Sequence, residues 1–154
     1  MKINYLVIPL IALATAVLGS HFTSQGMDWY ETLSRPGFTP PGGIIGTVWT
    51  VIYILSAISA LIVWNKFSRN KRFLWISALF MINAVLNFFW CYLFFAAHLI
   101  GAAIIEMLAL EATVLALMIL VWPRSRFAAF LLAPYAGWVI FATYLAYSIW
   151  ALNS

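Results

Sequence analysis

Long apolar runs alternate along the chain with short polar interruptions. Five runs stand out, at residues 3–22, 44–65, 73–96, 100–122 and 127–151. A bilayer core about 30 Å thick takes ~20 mostly apolar helical residues to cross, and each run has that length. Strands of a membrane barrel alternate apolar and polar positions over ~10 residues, and none of the five does so. The pattern predicts an all-α membrane protein, a bundle of five transmembrane helices making one domain over residues 1–154.

The interruptions differ in kind. Lys66, Arg69, Lys71 and Arg72 end the second run, and Pro123, Arg124, Ser125 and Arg126 separate the fourth from the fifth. The residues around His98 allow only a tight turn. The connection between the first two runs, His21–Gly43, is the long one. It holds Asp28, Glu31 and Arg35 and the prolines Pro36, Pro40 and Pro41. Proline fixes its own φ and restricts the residue before it, so a stiffened, Pro-rich loop is expected there. The first run also has the outline of a signal peptide, with Lys2 ahead of it and Ala14-Thr15-Ala16 within it. Because its apolar stretch continues to Leu18, a retained span is the better reading. Its small residues Ala12, Ala16, Gly19 and Ser20 suit close helix contact and equally suit plain lipid exposure.

Composition sharpens this. Charged residues are 8% of the chain, against about 25% in a typical globular domain. So few charges cannot cover a water-soluble surface, and 66% hydrophobic residues exclude disorder. A single cysteine, Cys91, excludes an internal disulfide and a cysteine zinc cluster, and two separated histidines, His21 and His98, give no expectation of a metal site. The basic residues lie in the connections, which points to the membrane surface and not to nucleic acid. With five spans, Lys2, Lys66, Arg69, Lys71, Arg72, Arg124 and Arg126 fall on one side and Arg35 on the other. Lys and Arg accumulate on the cytoplasmic side. The N-terminus is therefore expected in the cytoplasm and the C-terminus outside, in what this bias suggests is a bacterial cytoplasmic membrane.

Polar groups within hydrocarbon are costly and normally face protein or a cavity. In that orientation Trp49, Tyr53, Asn87, Trp90, Glu106, Ala142 and Thr143 fall in the outer half and Trp138 near the middle, beneath the long loop. The expectation is a polar, aromatic pocket in the outer leaflet, roofed by residues 22–43. Asn83, Asn87 and Trp90 are spaced to form one helical stripe, as are Trp49 with Tyr53 and Pro134 with Trp138. Ala142 leaves space for a large flat ligand. Duller readings stand beside these. Trp29, Trp64, Trp75, Trp122 and Trp150 fit interfacial belts. Trp49, Trp90 and Trp138 fit ordinary packing, Asn83 and Asn87 an interhelical hydrogen bond, Glu106 a snorkelling acid and His98 an exposed turn. Glu111 lies near mid-membrane and points about 140° away from Glu106. A proton relay and a satisfied or dimer-interface carboxyl are both open to it.

The segment Trp29-Tyr30-Glu31-Thr32-Leu33-Ser34-Arg35-Pro36-Gly37-Phe38-Thr39-Pro40-Pro41, then Val48-Trp49-Thr50-Val51-Ile52-Tyr53, resembles the translocator protein family, also called tryptophan-rich sensory proteins or peripheral benzodiazepine receptors. Asn87-Phe88-Phe89-Trp90 and Pro134-Tyr135-Ala136-Gly137-Trp138 through Ala142 continue the resemblance along the chain. It implies a five-helix bundle that dimerises, with no obligatory cofactor. It also implies a pocket for porphyrins such as protoporphyrin IX and for benzodiazepine or isoquinoline-carboxamide ligands. The family's pocket positions fall on Tyr30, Trp49, Asn87, Trp90, Glu106, Trp138 and Ala142. Trp49 and Trp138 match tryptophans linked in bacterial members to light-dependent porphyrin degradation, which would make them catalytic. Phe38 and Ala146 depart from the usual Trp and Asn. Tyr147 is followed by no base, so the sterol-recognition pattern is incomplete.

Three functions compete on this reading. One is a porphyrin receptor or sensor, the second a light-dependent porphyrin-degrading enzyme. The third is a proton-coupled transporter using Glu106 or Glu111, against which no inverted repeat is evident. No triad, metal cluster or phosphate loop supports other chemistry.

Overall fold

The computed structural model describes residues 3–154; Met1 and Lys2, the latter counted above on the basic side, lie outside the described residues. Seven α-helices follow in order: α1 (Asn4–Gln25), α2 (Met27–Thr32), α3 (Gly42–Lys66), α4 (Lys71–Cys91), α5 (Ile100–Val121), α6 (Arg126–Phe130) and α7 (Ala133–Asn153). A π-helical turn, Tyr92–Ala96, prolongs α4. Five helical stretches are long and apolar enough to cross a membrane: α1, α3, α4 with its π turn, α5, and α6 with α7. Their bounds lie within a few residues of the apolar runs.

The helices form an incomplete ring. α1 packs on both α3 and α4, α4 on α5, and α5 on α7. α3 and α7 barely meet along their length, and the ring closes through α6, which packs on α3. In lipid there is little hydrophobic drive between helices, so close packing and interhelical hydrogen bonds hold such a bundle. α5 shows the packing term. Ala103, Met107, Leu110, Val114, Leu117 and Val121 recur every three or four residues on one fully buried face, while Ile105, Leu108 and Ile119 face outward. Hydrogen bonds tie the basic end. The Ser59 hydroxyl donates to the Ala128 carbonyl at 2.8 Å, and the Arg72 guanidinium donates to the Leu120 carbonyl near the end of α5. Asn70 caps α4 by accepting from the Phe73 amide at 3.1 Å, and Ser125 caps α6 by accepting from Ala128 at 3.2 Å.

The final span is broken at Leu131 and Leu132. Pro134 has no N–H to donate, and in a continuous helix its ring would strike the Phe130 carbonyl. The helix restarts with this proline in the first turn of α7.

The long Pro-rich loop expected over 21–43 is not what the chain forms. α1 continues past the apolar run to Gln25, and Met27–Thr32 make a further short helix. Apart from Gly26, only residues 33–41 are non-helical, and they hold all three prolines of the segment. The polar residues after Gly19 mark the edge of the apolar run, not the end of the helix. Gln25 bonds back to His21 at 3.1 Å, and the Ser24 hydroxyl donates to the His21 carbonyl, both within helical spacing. The corner between α1 and α2 is Gly26, where an added Cβ would lie 2.1 Å from the Phe95 carbonyl oxygen. Glycine is required there because the corner presses on the π turn. His98, in the following turn, takes φ 56° and stacks on Trp29 with ring centroids 4.0 Å apart.

Candidate functional site

A cavity of about 610 Å³ fills the gap between α3 and α7, backed by α1, α4 and the π turn and covered by α2. Its aromatic wall is built from several elements. Trp49 of α3 lies 6.3 Å from Trp90 of α4, ring centroid to centroid, and meets Tyr135 of α7 edge-on at 6.0 Å. Trp138 packs on Phe141 at 5.2 Å, one turn below Ala142. Tyr30 of α2 is buried against Phe94 and Phe95, with the Arg35 guanidinium 5.0 Å from its ring centroid. Gly19 and Cys91 also line the cavity, and a Cβ on Gly19 would stand 3.4 Å from the Cys91 sulfur. The indole nitrogens of Trp90 and Trp138 are buried with no hydrogen-bond partner among the described residues. Buried polar groups normally find a partner, and these two nitrogens are covered by neighbouring atoms without one.

The 33–41 segment is anchored across the cavity. The Ser34 amide donates to Asn153 Oδ1 at 3.0 Å, and Asn153 Nδ2 donates back to the Ser34 carbonyl at 2.9 Å. Phe38 stacks on Tyr144 at 5.5 Å. The segment is thereby strapped to α7 over the gap that α3 and α7 leave open.

Of the seven positions expected in the pocket, Tyr30, Trp49, Trp90, Trp138 and Ala142 line the cavity. Asn87 and Glu106 do not. No residue of α5 reaches the cavity, and Glu106 is buried within the bundle with neither carboxyl oxygen partnered among the described residues. Asn87 sits behind the wall in a hydrogen-bond chain that joins four helices. The Tyr53 hydroxyl donates to Asn87 Oδ1, and Asn87 Nδ2 donates to the Tyr135 hydroxyl at 2.9 Å. The Tyr135 hydroxyl donates to Asn83 Oδ1 at 3.0 Å, and Asn83 Nδ2 donates to Thr113 at 2.8 Å. The interhelical reading of the two asparagines describes their contacts. Successive helical residues turn by ~100°, so Trp90 stands about 60° around α4 from Asn87. One faces the cavity and the other the bundle. Tyr135 and Thr113 were not singled out from the sequence. A hydroxyl amid apolar helix, needing a partner, was the available sign.

A family model described as TspO/MBR family matches residues 6–151. The chain belongs to the TspO/MBR family. Among curated TspO/MBR relatives, the tryptophan-rich protein TspO of Archaeoglobus fulgidus is 36% identical, with 100% of each chain covered. The tryptophan-rich protein TspO of Bacillus cereus is 34% identical over 81% of this chain and 80% of that one. The human translocator protein is 30% identical over 88% of this chain and 82% of its own. With its five apolar helices, this TspO/MBR protein is a multi-pass integral membrane protein. That agrees with the sequence resemblance, and a membrane receptor or sensor fits it.

Proposed function

We propose that the protein is a receptor for porphyrins (protoporphyrin IX and haem intermediates) and for benzodiazepine-type or isoquinoline-carboxamide ligands. The site is the cavity between α3 and α7. The observation that carries this reading is the meeting of Trp49, Trp90 and Trp138, drawn from three helices, around one space of about 610 Å³. Ligand sites are typically ~300–1,000 Å³, mostly apolar, with a few placed polar groups. Flat indoles stack on a flat macrocycle, and Trp49, Trp90 and Trp138 supply the indoles. Cys91 is the one thiol nearby. Bound ligand would regulate tetrapyrrole transport or light-dependent degradation, the latter using Trp49 and Trp138.

The receptor reading is preferred to a proton-coupled transporter because neither Glu106 nor Glu111 lines the cavity. We further propose the cytoplasmic side for the end carrying Lys66, Arg69, Lys71, Arg72, Arg124 and Arg126, in a bacterial cytoplasmic membrane, with pairing into a homodimer. A ligand that binds only the folded state raises its melting temperature. In detergent, protoporphyrin IX should raise that of the wild type in a saturable way and leave an Ala142→Phe variant unmoved. Equal shifts in both proteins would remove the ligand from this cavity.

A further inference from the structure

The end of the bundle opposite α2 carries two short connections, residues 67–70 between α3 and α4 and residues 122–125 between α5 and α6. The fold brings them together. The Arg72 guanidinium donates through Nε and Nη2 to the Leu120 carbonyl, one residue before the end of α5. Arg124 stands over the Phe67 ring, 5.8 Å from its centroid. The two connections thereby form one surface with Lys66, Arg69, Lys71, Arg72, Arg124 and Arg126. All six are exposed except the half-buried Arg72.

No carboxylate of the chain answers this charge. The sequence has four acidic residues in all. Asp28 and Glu31 lie on α2, at the other end of the bundle. Glu106 and Glu111 lie on α5, and the nearer, Glu111, is ten residues short of Val121, about 15 Å along the helix. Crowded like charges repel, and such a surface attracts anions from its surroundings.

The guanidinium groups are held by rings. Arg69 stands 4.5 Å from the Trp64 centroid and 4.0 Å from that of Phe73, and it gives one N–H to the Trp64 carbonyl. Arg126 stands 5.8 Å from the Trp122 centroid. A ring face attracts the cation and takes none of the in-plane N–H groups, which form the fork that fits phosphate oxygens. The same rings are the start of the apolar surface. Trp64 meets Phe73 edge-on at 5.2 Å, and Trp122 meets Phe130 at 5.1 Å. Trp64, Trp122, Phe127 and Phe130 are exposed. An anion on these arginines therefore lies where the chain passes from charge to hydrocarbon-facing side chains.

We propose that this surface is a binding site for an anionic phospholipid of the phosphatidylglycerol class. Its headgroup phosphate meets Arg124 and Arg126, and its acyl chains lie along Trp122, Phe127 and Phe130. The uncompensated cations select an anionic headgroup over a zwitterionic one, and the apolar flank selects a lipid over a soluble phosphate. The site is independent of what the cavity between α3 and α7 binds.

The test uses the full chain in a non-ionic detergent, read by native mass spectrometry, with phosphatidylglycerol and phosphatidylcholine of the same acyl chains. Wild-type protein should bind phosphatidylglycerol saturably and roughly tenfold more tightly than phosphatidylcholine at low salt, the scale set by two cations near a membrane surface. Added salt should narrow the difference. The double variant Arg124→Gln, Arg126→Gln should lose most of the preference. Arg35→Gln, which removes a cation at the opposite end, should keep it, and glycerophosphate at the lipid's concentration should displace no lipid. Equal affinity for the two lipids, a preference kept by the double variant, an equal loss in Arg35→Gln or displacement by glycerophosphate would each overturn the proposal. If the double variant does not fold, Arg126→Gln alone decides it, with a loss of about threefold expected and wild-type affinity as the contrary result.

Discussion

The Tyr53 hydroxyl donates to the Asn87 side-chain oxygen across the space between α3 and α4. α3 and α4 touch little elsewhere, so this bond is a main tie between them. It also begins the chain through Tyr135 and Asn83 to Thr113 that links α3, α4, α7 and α5. Asn87→Ala leaves the Tyr53 hydroxyl without its acceptor and Tyr135 without a donor. It should cost about 1–3 kcal/mol of stability. Tyr53→Phe, which removes one end of the chain and leaves Asn87 its bond to Tyr135, should cost less, about 0.6–1.7 kcal/mol. Reversible unfolding in mixed micelles measures both. A smaller loss for Asn87→Ala than for Tyr53→Phe would mean the chain is not the tie described.

The roof makes a separable prediction. Asn153→Ala removes both bonds to Ser34 but no packing in the bundle. Amide exchange over residues 33–41 should rise severalfold while the melting temperature hardly changes. Gly26→Ala should do more. Its Cβ would meet the Phe95 carbonyl at 2.1 Å, and backbone must move to admit it. Overpacking of this kind costs ~1–3 kcal/mol. Unaltered exchange in both α2 and the π turn of Gly26→Ala would contradict the close approach.

Glu106→Gln should leave porphyrin affinity within about twofold, because α5 contributes nothing to the cavity wall and a rim or remote charge contributes less than ~1 kcal/mol. A fluorescence titration decides it, and a loss of tenfold or more would return Glu106 to the site.

If bound porphyrin is degraded in light, the two indoles assigned to it can be tested singly. Trp49→Phe and Trp138→Phe should each slow the spectral change of bound porphyrin under illumination while retaining most of the binding, since Phe keeps the aromatic wall. Unchanged rates in both variants would place the chemistry elsewhere.

The span boundaries could be read from the chain because lipid thickness sets the length of an apolar run and Lys, Arg and Pro punctuate it. The roof could not. His21, Thr23, Ser24 and Gln25 look like the start of a loop, yet polar side chains are compatible with helix once it has left the hydrocarbon, and α1 continues through them. The π turn at Tyr92–Ala96 has no sign in composition, and the break before α7 fell within a run read as one continuous span over 127–151, although Pro134 stands beside it. Within the candidate site, depth placed Trp49 and Trp90 in the outer half and Trp138 near the middle, the resemblance named all three, and all three line the cavity. Depth alone does not give the facing of a residue. Asn87 and Glu106 have the right height and the wrong azimuth, which only the packing of α4 and α5 against their neighbours decides.

Trp49, Trp90, Trp138 and Ala142 bound one space, and we propose that it receives a planar ligand. The most direct test is quenching of intrinsic tryptophan fluorescence by protoporphyrin IX, titrated against wild type and Ala142→Phe. The wild type should show saturable one-to-one quenching, and the variant an affinity lower by roughly tenfold or more, the effect of overfilling a packed site. Superimposable curves would contradict the proposal.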